Sequence, residues 1–229
     1  MQYAYSGVSM MDDERKACIR CGTCCQGSTP SLHPEDITLI DQGVIALGDL
    51  VTLRSGEVVY DNIQGKVREL TEELVKVREQ DESQGCLFYD PRGAGCGIYD
   101  NRPLQCRTLE CWNPEKLIGL FESRKINRTE LIGDDAMNEL VAAHEERASV
   151  SRLKTLLLSH SEENNREGDI VDLVNYDLHF REFLAGKLSL GAGETVFYFG
   201  RPLLECMTGF GFEVSGSGKE GFYLVPLKD

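Results

Sequence analysis

No stretch of this chain stays apolar for the roughly 18 residues that a membrane-crossing helix needs. Its first sixteen residues lack the apolar core of a secretory signal and carry Asp12, Asp13 and Glu14 instead. Both absences lead us to expect a soluble, cytoplasmic protein. Basic residues are scarce beside acidic ones, 24 Lys and Arg against 38 Asp and Glu, for a net charge of −14. That excess repels nucleic-acid phosphates and anionic lipid surfaces, so neither is expected as a partner. Histidine is rarer still, with four in 229 residues, and no Ser–His–Asp arrangement can be argued from positions so sparse. Repeats and low-complexity tracts are missing. The rest is ordinary for a globular chain: 41% hydrophobic and 27% charged residues, enough to core one large domain or two small ones.

Nine cysteines are what stand out. They are too few and too unevenly placed for a disulfide-dense miniature scaffold, and their number is odd. Eight fall between Cys18 and Cys111, while Cys206 sits among Leu203, Leu204 and Met207 and reads as a small buried hydrophobe. In a compartment that keeps thiols reduced, such a cluster points to metal binding or redox chemistry. Cys18, Cys21 and Cys24 have the two-residue spacing by which bacterial ferredoxins hold three corners of an iron–sulfur cubane. A remote cysteine normally completes that site, and Cys86, Cys96, Cys106 and Cys111 are available. Three features depart from the ferredoxin pattern. Cys25 adjoins Cys24, no proline follows the last cysteine, and there is no second triplet. The Cys-x2-Cys spacing also makes half of a zinc knuckle, so eight thiols suit either two four-cysteine zinc sites or one cluster with thiols to spare.

Four thiolates on one centre leave net negative charge, which nearby cations and backbone N–H groups stabilise. Arg20, Arg102 and Arg107 are placed for that role, and Gly22 and Gly27 let main-chain amides turn toward sulfur. Phe88 and Tyr99 are expected as an apolar wall. His33, standing before Pro34, reads first as a helix-entry residue, and it is the best non-cysteine ligand candidate only because it follows the first cluster closely. His144 is expected as a core residue. Gly216–Gly221 matches the dinucleotide-loop pattern letter for letter, but no helix follows it, so it reads as a hairpin turn. The contiguous triplet of radical adenosylmethionine enzymes and the second histidine of a zincin motif are both missing.

The pattern of elements predicts an α+β fold. A cysteine-cluster domain spans residues 18–112, and a mainly helical region with a terminal hairpin spans 113–229, packed on the first or beside it. After a ligand loop at 18–27, a helix starts at Pro34 and stops at Gly43. Leu50–Arg54 and Glu57–Tyr60 read as a hairpin about Ser55–Gly56, with Val67–Leu70 and Leu74–Val77 as a second pair of strands. Cys86–Tyr89 reads as a strand, followed by a turn at Asp90–Gly93. Short helices begin at Pro103 and Pro114, the latter with Leu117, Ile118, Leu120 and Phe121 inward. A helix from Asp134 to His160 is expected to bend at 149–151. Another opens at Asp169, carries Ile170, Leu173, Val174, Leu178 and Phe183 on one face, and ends at Gly186. Thr195–Phe199 reads as a strand, Arg201–Met207 as a short helix, and Phe212–Val214 with Phe222–Val225 as a closing hairpin.

Cys-x2-Cys-Gly-x-Cys-Cys at 18–25, followed by Cys96-Gly-Ile-Tyr-x-x-Arg-Pro-x-x-Cys106-Arg, resembles the YkgJ-type cysteine-cluster family. The resemblance covers residues 18 to about 112 and implies a zinc- or iron-chelating domain that uses the matching cysteines. Where many relatives read Phe-Pro after the Cys106-Arg pair, this chain has Leu109-Glu110. Flagellin lysine methylases carry a similar cluster, for which an iron–sulfur cofactor has been suggested. The resemblance implies a site rather than a reaction. The reading taken from the residues is a cubane iron–sulfur cluster on three of Cys18, Cys21, Cys24 and Cys25 plus one cysteine of the second segment, serving electron transfer or redox sensing. The alternatives are a zinc-stabilised scaffold that shows an acidic face to a protein partner, and a metal-dependent group transferase. Because thiolate sites seldom preform in an unfolded chain, metal binding and folding are expected to be coupled.

Overall fold

The computed structural model of the chain describes residues 16–62, 64–81, 83–93, 95–161, 164–217 and 221–227. In chain order its elements are α1 (Thr23–Gly27), α2 (Ile37–Asp41), β1 (Leu50–Leu53), β2 (Val58–Asp61), β3 (Lys66–Glu69) and β4 (Leu74–Val77). Then come β5 (Tyr89–Asp90), β6 (Gly95–Cys96), α3 (Leu104–Thr108), α4 (Glu115–Phe121), α5 (Arg128–Leu131) and α6 (Asp135–Ala148). The chain closes with α7 (Val150–Ser159), α8 (Glu167–Leu188), α9 (Ala192–Phe199), α10 (Leu203–Cys206), β7 (Phe212–Ser217) and β8 (Gly221–Pro226). The fold is α+β, with every strand pair antiparallel. Among the described residues no helix is long and apolar enough to cross a membrane.

The first four strands form one nested ribbon rather than two successive hairpins. β1 pairs with β4 in the register Leu50↔Val77, and β2 pairs with β3 in the register Val58↔Glu69. The Ser55–Gly56 turn is present, but it bends the ribbon without folding β1 onto β2. The ladder runs on across the bend, where Gly56 N donates to Leu70 O and Leu70 N to Glu57 O, both at 2.8 Å. Turn residues announce a change of direction; they do not say which strand closes the ladder. Segment 30–32 lies along β4, with Leu32 N on Val75 O at 2.8 Å and Val77 N on Pro30 O at 2.9 Å.

Thr195–Phe199 is helical, not extended. Gly191 N donates to the Glu194 carboxylate at 2.9 Å, and Thr195 N to Gly191 O at 3.0 Å, so the first turn of α9 is closed locally. Gly193 lets α9 lie directly on the 47–49 turn, since a Cβ there would overlap Gly48 O. Burial of Phe197 and Phe199 against the ribbon overrides the β propensity of the stretch. Further along the chain, α8 runs through Gly186 and ends at Ser189, whose φ of 55° is left-handed. Phe183 is 61% exposed, and on α4 Ile118 and Phe121 also face solvent, so these three are not core residues. The expected bend at 149–151 is a true break, with Asp134 capping α6 and Ser149 capping α7. The terminal hairpin forms, with Gly216 paired near the end of β7 and Gly221 opening β8; residues 218–220 of the motif fall outside the described set.

One core cluster joins Leu32, Leu50, Val75 and Tyr89 to Val141, Leu184, Phe197 and Phe199; a second joins α7, α8 and α10 around Leu153, Leu157, Ile170 and Leu203. Buried charge crosses the seam between ribbon and helices. Arg54, 1% exposed, donates to Ala148 O at 2.9 Å and to Arg201 O at 3.0 Å, and Arg201 meets the buried Glu57 carboxylate at 2.6 Å. Arg128 bridges Glu73 and Glu145, both at 2.9 Å. Arg181 holds Asp177 at 2.8 Å and Gly200 O at 2.7 Å, while Asp177 also accepts from Leu203 N.

His144 is fully buried as expected, its Nε2 2.7 Å from Asp177 Oδ1. Burial holds its pKa below the usual imidazole value, with the Arg181 and Arg54 charges adding to the effect against Asp177. The unfolded chain therefore takes up a proton at His144 at a pH where the native fold does not. Stability from this site is present above about pH 6.5 and is lost as the pH falls below it, by at most about 1.4 kcal/mol per pH unit. Chemical denaturation at pH 7.5 and 5.5 should show the loss. His144→Gln should be less stable at pH 7.5 yet lose less on acidification.

Candidate metal centre

Short elements present the cysteines. Gly22, with φ 78°, turns the chain into α1, which carries Cys24 and Cys25. The positive φ favours glycine, and a Cβ there would overlap the Tyr89 hydroxyl that closes over the turn. Gln26 Nε2 donates to that hydroxyl at 3.2 Å, and Cys86 N donates to Cys25 O at 2.6 Å. Two segments sixty residues apart in the chain are thus tied through main chain and side chain together. Cys96 lies in β6 opposite Tyr89, Cys106 sits within α3, and Cys111 is in the turn that follows.

Helix α3 is held from outside. Leu104 N donates to Asp36 Oδ1 at 2.8 Å, so the buried carboxylate at the start of the second helical segment also caps the helix bearing Cys106. Gln105 Oε1 accepts from Ser31 N at 2.8 Å, which turns its amide nitrogen toward His33 Nε2 at 3.2 Å. His33 Nδ1 in turn faces Arg124 O at 3.0 Å and Ser123 Oγ at 3.2 Å. His33 is therefore a neutral bridge that donates from Nδ1 and accepts at Nε2. With both ring nitrogens engaged, it is a supporting residue, and it stands at the helix entry before Pro34 as expected. Burial lowers its pKa, and the Lys125 charge lowers it further.

All nine cysteines are free thiols. Cys24 and Cys25 sulfurs stand 3.8 Å apart. The hydrogen bond from Cys25 holds Cys24 below the ordinary thiol range, and the same bond together with burial pushes Cys25 up. Cys106 is raised by burial and then by the charges of Cys86, Cys24 and Cys96; Cys86 is raised by burial and by Cys96 and Cys24. Cys106 and Cys96 act on Cys25 as well. These influences link Cys24 and Cys25 of the first segment electrostatically to Cys86, Cys96 and Cys106 of the second. Cys21 joins the margin through Cys24, its own thiol lowered by the Thr23 hydroxyl, while Cys18 Sγ accepts from Arg20 N at 3.4 Å. Among the described residues no group of three or more His, Cys, Asp or Glu side chains is placed to hold a metal ion.

The expected cations divide. Arg102 lies near enough to favour the thiolates of Cys24 and Cys106. Arg20 and Arg102 each place a guanidinium 3.8 Å from the centre of the Tyr99 ring, so Tyr99 is a stacking platform more than an apolar wall. Arg107 turns to Asp36, 3.7 Å away, and so supports α3. Phe88 packs against the first core cluster beside Cys86. Asp36, Gln105 and Tyr89 carried no sequence signal as site residues, because each acts on a partner distant in the chain. Gly22→Ala should cost roughly 1–3 kcal/mol from left-handed strain plus the Tyr89 overlap. It should also lower bound metal per chain after anaerobic purification, measured by elemental analysis.

The model of the CxxCxxCC family, described as a putative zinc- or iron-chelating domain, matches residues 17–131, half of the chain. No curated protein and no solved structure matches it. The matched stretch contains all eight clustered cysteines, both arginines on Tyr99, and the His33–Gln105 support of α3. The chain belongs to the CxxCxxCC family of zinc- or iron-chelating domains.

Proposed function

We propose that Cys24, Cys25, Cys86, Cys96 and Cys106 supply the ligands of an iron–sulfur cluster that serves electron transfer or redox sensing in a reducing compartment. The supporting observations are the Cys24 and Cys25 sulfurs 3.8 Å apart, the main-chain bond from Cys86 N to Cys25 O, and the electrostatic influence of Cys86, Cys96 and Cys106 on one another and on Cys24 or Cys25. An all-sulfur donor set selects soft centres, zinc or iron–sulfur, over magnesium or calcium. Cys24 is exposed, which puts the centre within reach of an electron-exchange partner. Main-chain and side-chain bonds already join the two segments, so a metal is not needed merely to hold them together. Bound there, the cluster would supply a one-electron couple. The residues themselves position sulfur, with Arg102 offsetting its charge.

One distance favours a second reading. Two thiolates on one tetrahedral ion, at metal–sulfur distances of about 2.3 Å, stand roughly 3.8 Å apart. Cys24 and Cys25 have that separation, so a zinc-stabilised module that docks a protein partner is the rival. Protein prepared without oxygen should be coloured, contain iron and sulfide in equal amounts, and bleach on reduction. Colourless protein with stoichiometric zinc and no redox transition rejects the cluster in favour of the rival. Chelation should remove the metal while far-ultraviolet circular dichroism from the helical half is retained.

A further inference from the structure

We propose that Arg20 and Arg102, held on Tyr99, form a receptor for a small dianion, a dicarboxylate or a phosphate, beside the cysteine centre. The two guanidinium carbons each stand 3.8 Å from the same ring centre. They are therefore no farther apart than twice that distance, a span that two acidic groups of one small molecule can bridge along the ring edge. The N–H groups are available. Arg102 spends only its Nε, on Tyr99 O at 2.7 Å, and the Arg20 guanidinium makes no hydrogen bond or ion pair among the described residues. Among the described residues neither guanidinium is paired with a carboxylate, in a chain with 38 acidic residues, and a planar fork with free donors suits carboxylate or phosphate.

The placement is held in position. Arg20 has a φ of 58°, a left-handed conformation that residues with a Cβ seldom adopt, and its N–H faces Cys18 sulfur. Stacking on the ring and the Arg102–Tyr99 carbonyl bond limit the freedom of both side chains, so little entropy remains to be lost when an anion arrives. A small anion is favoured over an acidic protein surface. The net charge of −14 repels a large acidic partner at long range, whereas a small ion senses chiefly the local pair within the roughly 8 Å Debye length of physiological salt. The proposal rests on the metal reading only for what lies next to the anion.

Full-length protein, metal-free and metal-loaded, should be titrated with succinate and separately with inorganic phosphate at constant ionic strength. Acetate and chloride serve as controls. Calorimetry and the side-chain Nε–H resonances of Arg20 and Arg102 give the readouts, and metal content is measured in every sample. One of the two dianions should bind and shift both resonances, and which one binds identifies the ligand class. R20Q and R102Q should each weaken binding at least fivefold. Y99L, which keeps both charges and removes the platform, should weaken it similarly, and circular dichroism would confirm that each variant is folded. No binding by the wild type, equal binding of acetate, or binding that survives both arginine substitutions overturns the proposal. If R102Q loses metal while the wild type binds no dianion, the arginines only offset sulfur charge. A chain that binds dianion but never metal would overturn the reading of the centre and leave this one standing.

Discussion

Arg54, Glu57, Asp177 and Arg181 lie in the dry seam between the β-ribbon and the helices, where an unmatched charge costs several kcal/mol. Each is met, and the partners come from different elements. Arg54 reaches the end of α6 and the loop before α10, Glu57 takes Arg201, and Arg181 collects the carbonyls of Phe199 and Gly200. Removing one member would strand the others, at a cost of about 3–5 kcal/mol. The seam thus fixes how the ribbon meets the helical half. The ribbon's last strand, β4, then sets the course of the chain toward Cys86.

Support for the cysteine centre comes from the same economy of buried polar groups. Asp36 and Gln105 are nearly inaccessible, and each is satisfied by backbone groups of another segment. Those bonds hold the helix of Cys106 against the strand-like segment 30–32. Tyr89 and the Cys86–Cys25 main-chain bond hold the helix of Cys24 and Cys25. The cysteine-bearing segments are thereby held by structural partners of their own. Without metal, several of the gathered thiols resist ionisation through burial and mutual repulsion. A cation at their centre reverses that balance, so metal uptake releases protons and is favoured by rising pH.

Much of this was legible along the chain. The helix starts at Pro34, Pro103 and Asp134, the break at Ser149 and the closing hairpin follow local rules of capping and turns. The cysteine spacing marked the two segments that lie within the stretch matched by the family model. The pairing of β1 with β4 was not legible, since alternation marks a strand but not its neighbour. Nor was the helix at Thr195–Phe199, where β-branched and aromatic residues were overruled by burial against the ribbon and the close approach at Gly193. His33 at the helix entry was legible from Pro34, but that its ring is spent on Gln105 and Arg124 was not, because both lie far along the chain.

By itself the sequence determined the chemistry on offer: soft sulfur donors in two clusters, an acidic surface, and arginines near the thiols. Residue type and short spacing carry that information, because ligand softness, charge and turn preference are properties of a few neighbouring atoms. Tertiary structure alone decided that Arg107 serves Asp36 while Arg20 and Arg102 share Tyr99, and which buried charges answer one another. Those choices depend on distances between segments far apart in the chain, and such distances are set by packing the whole core.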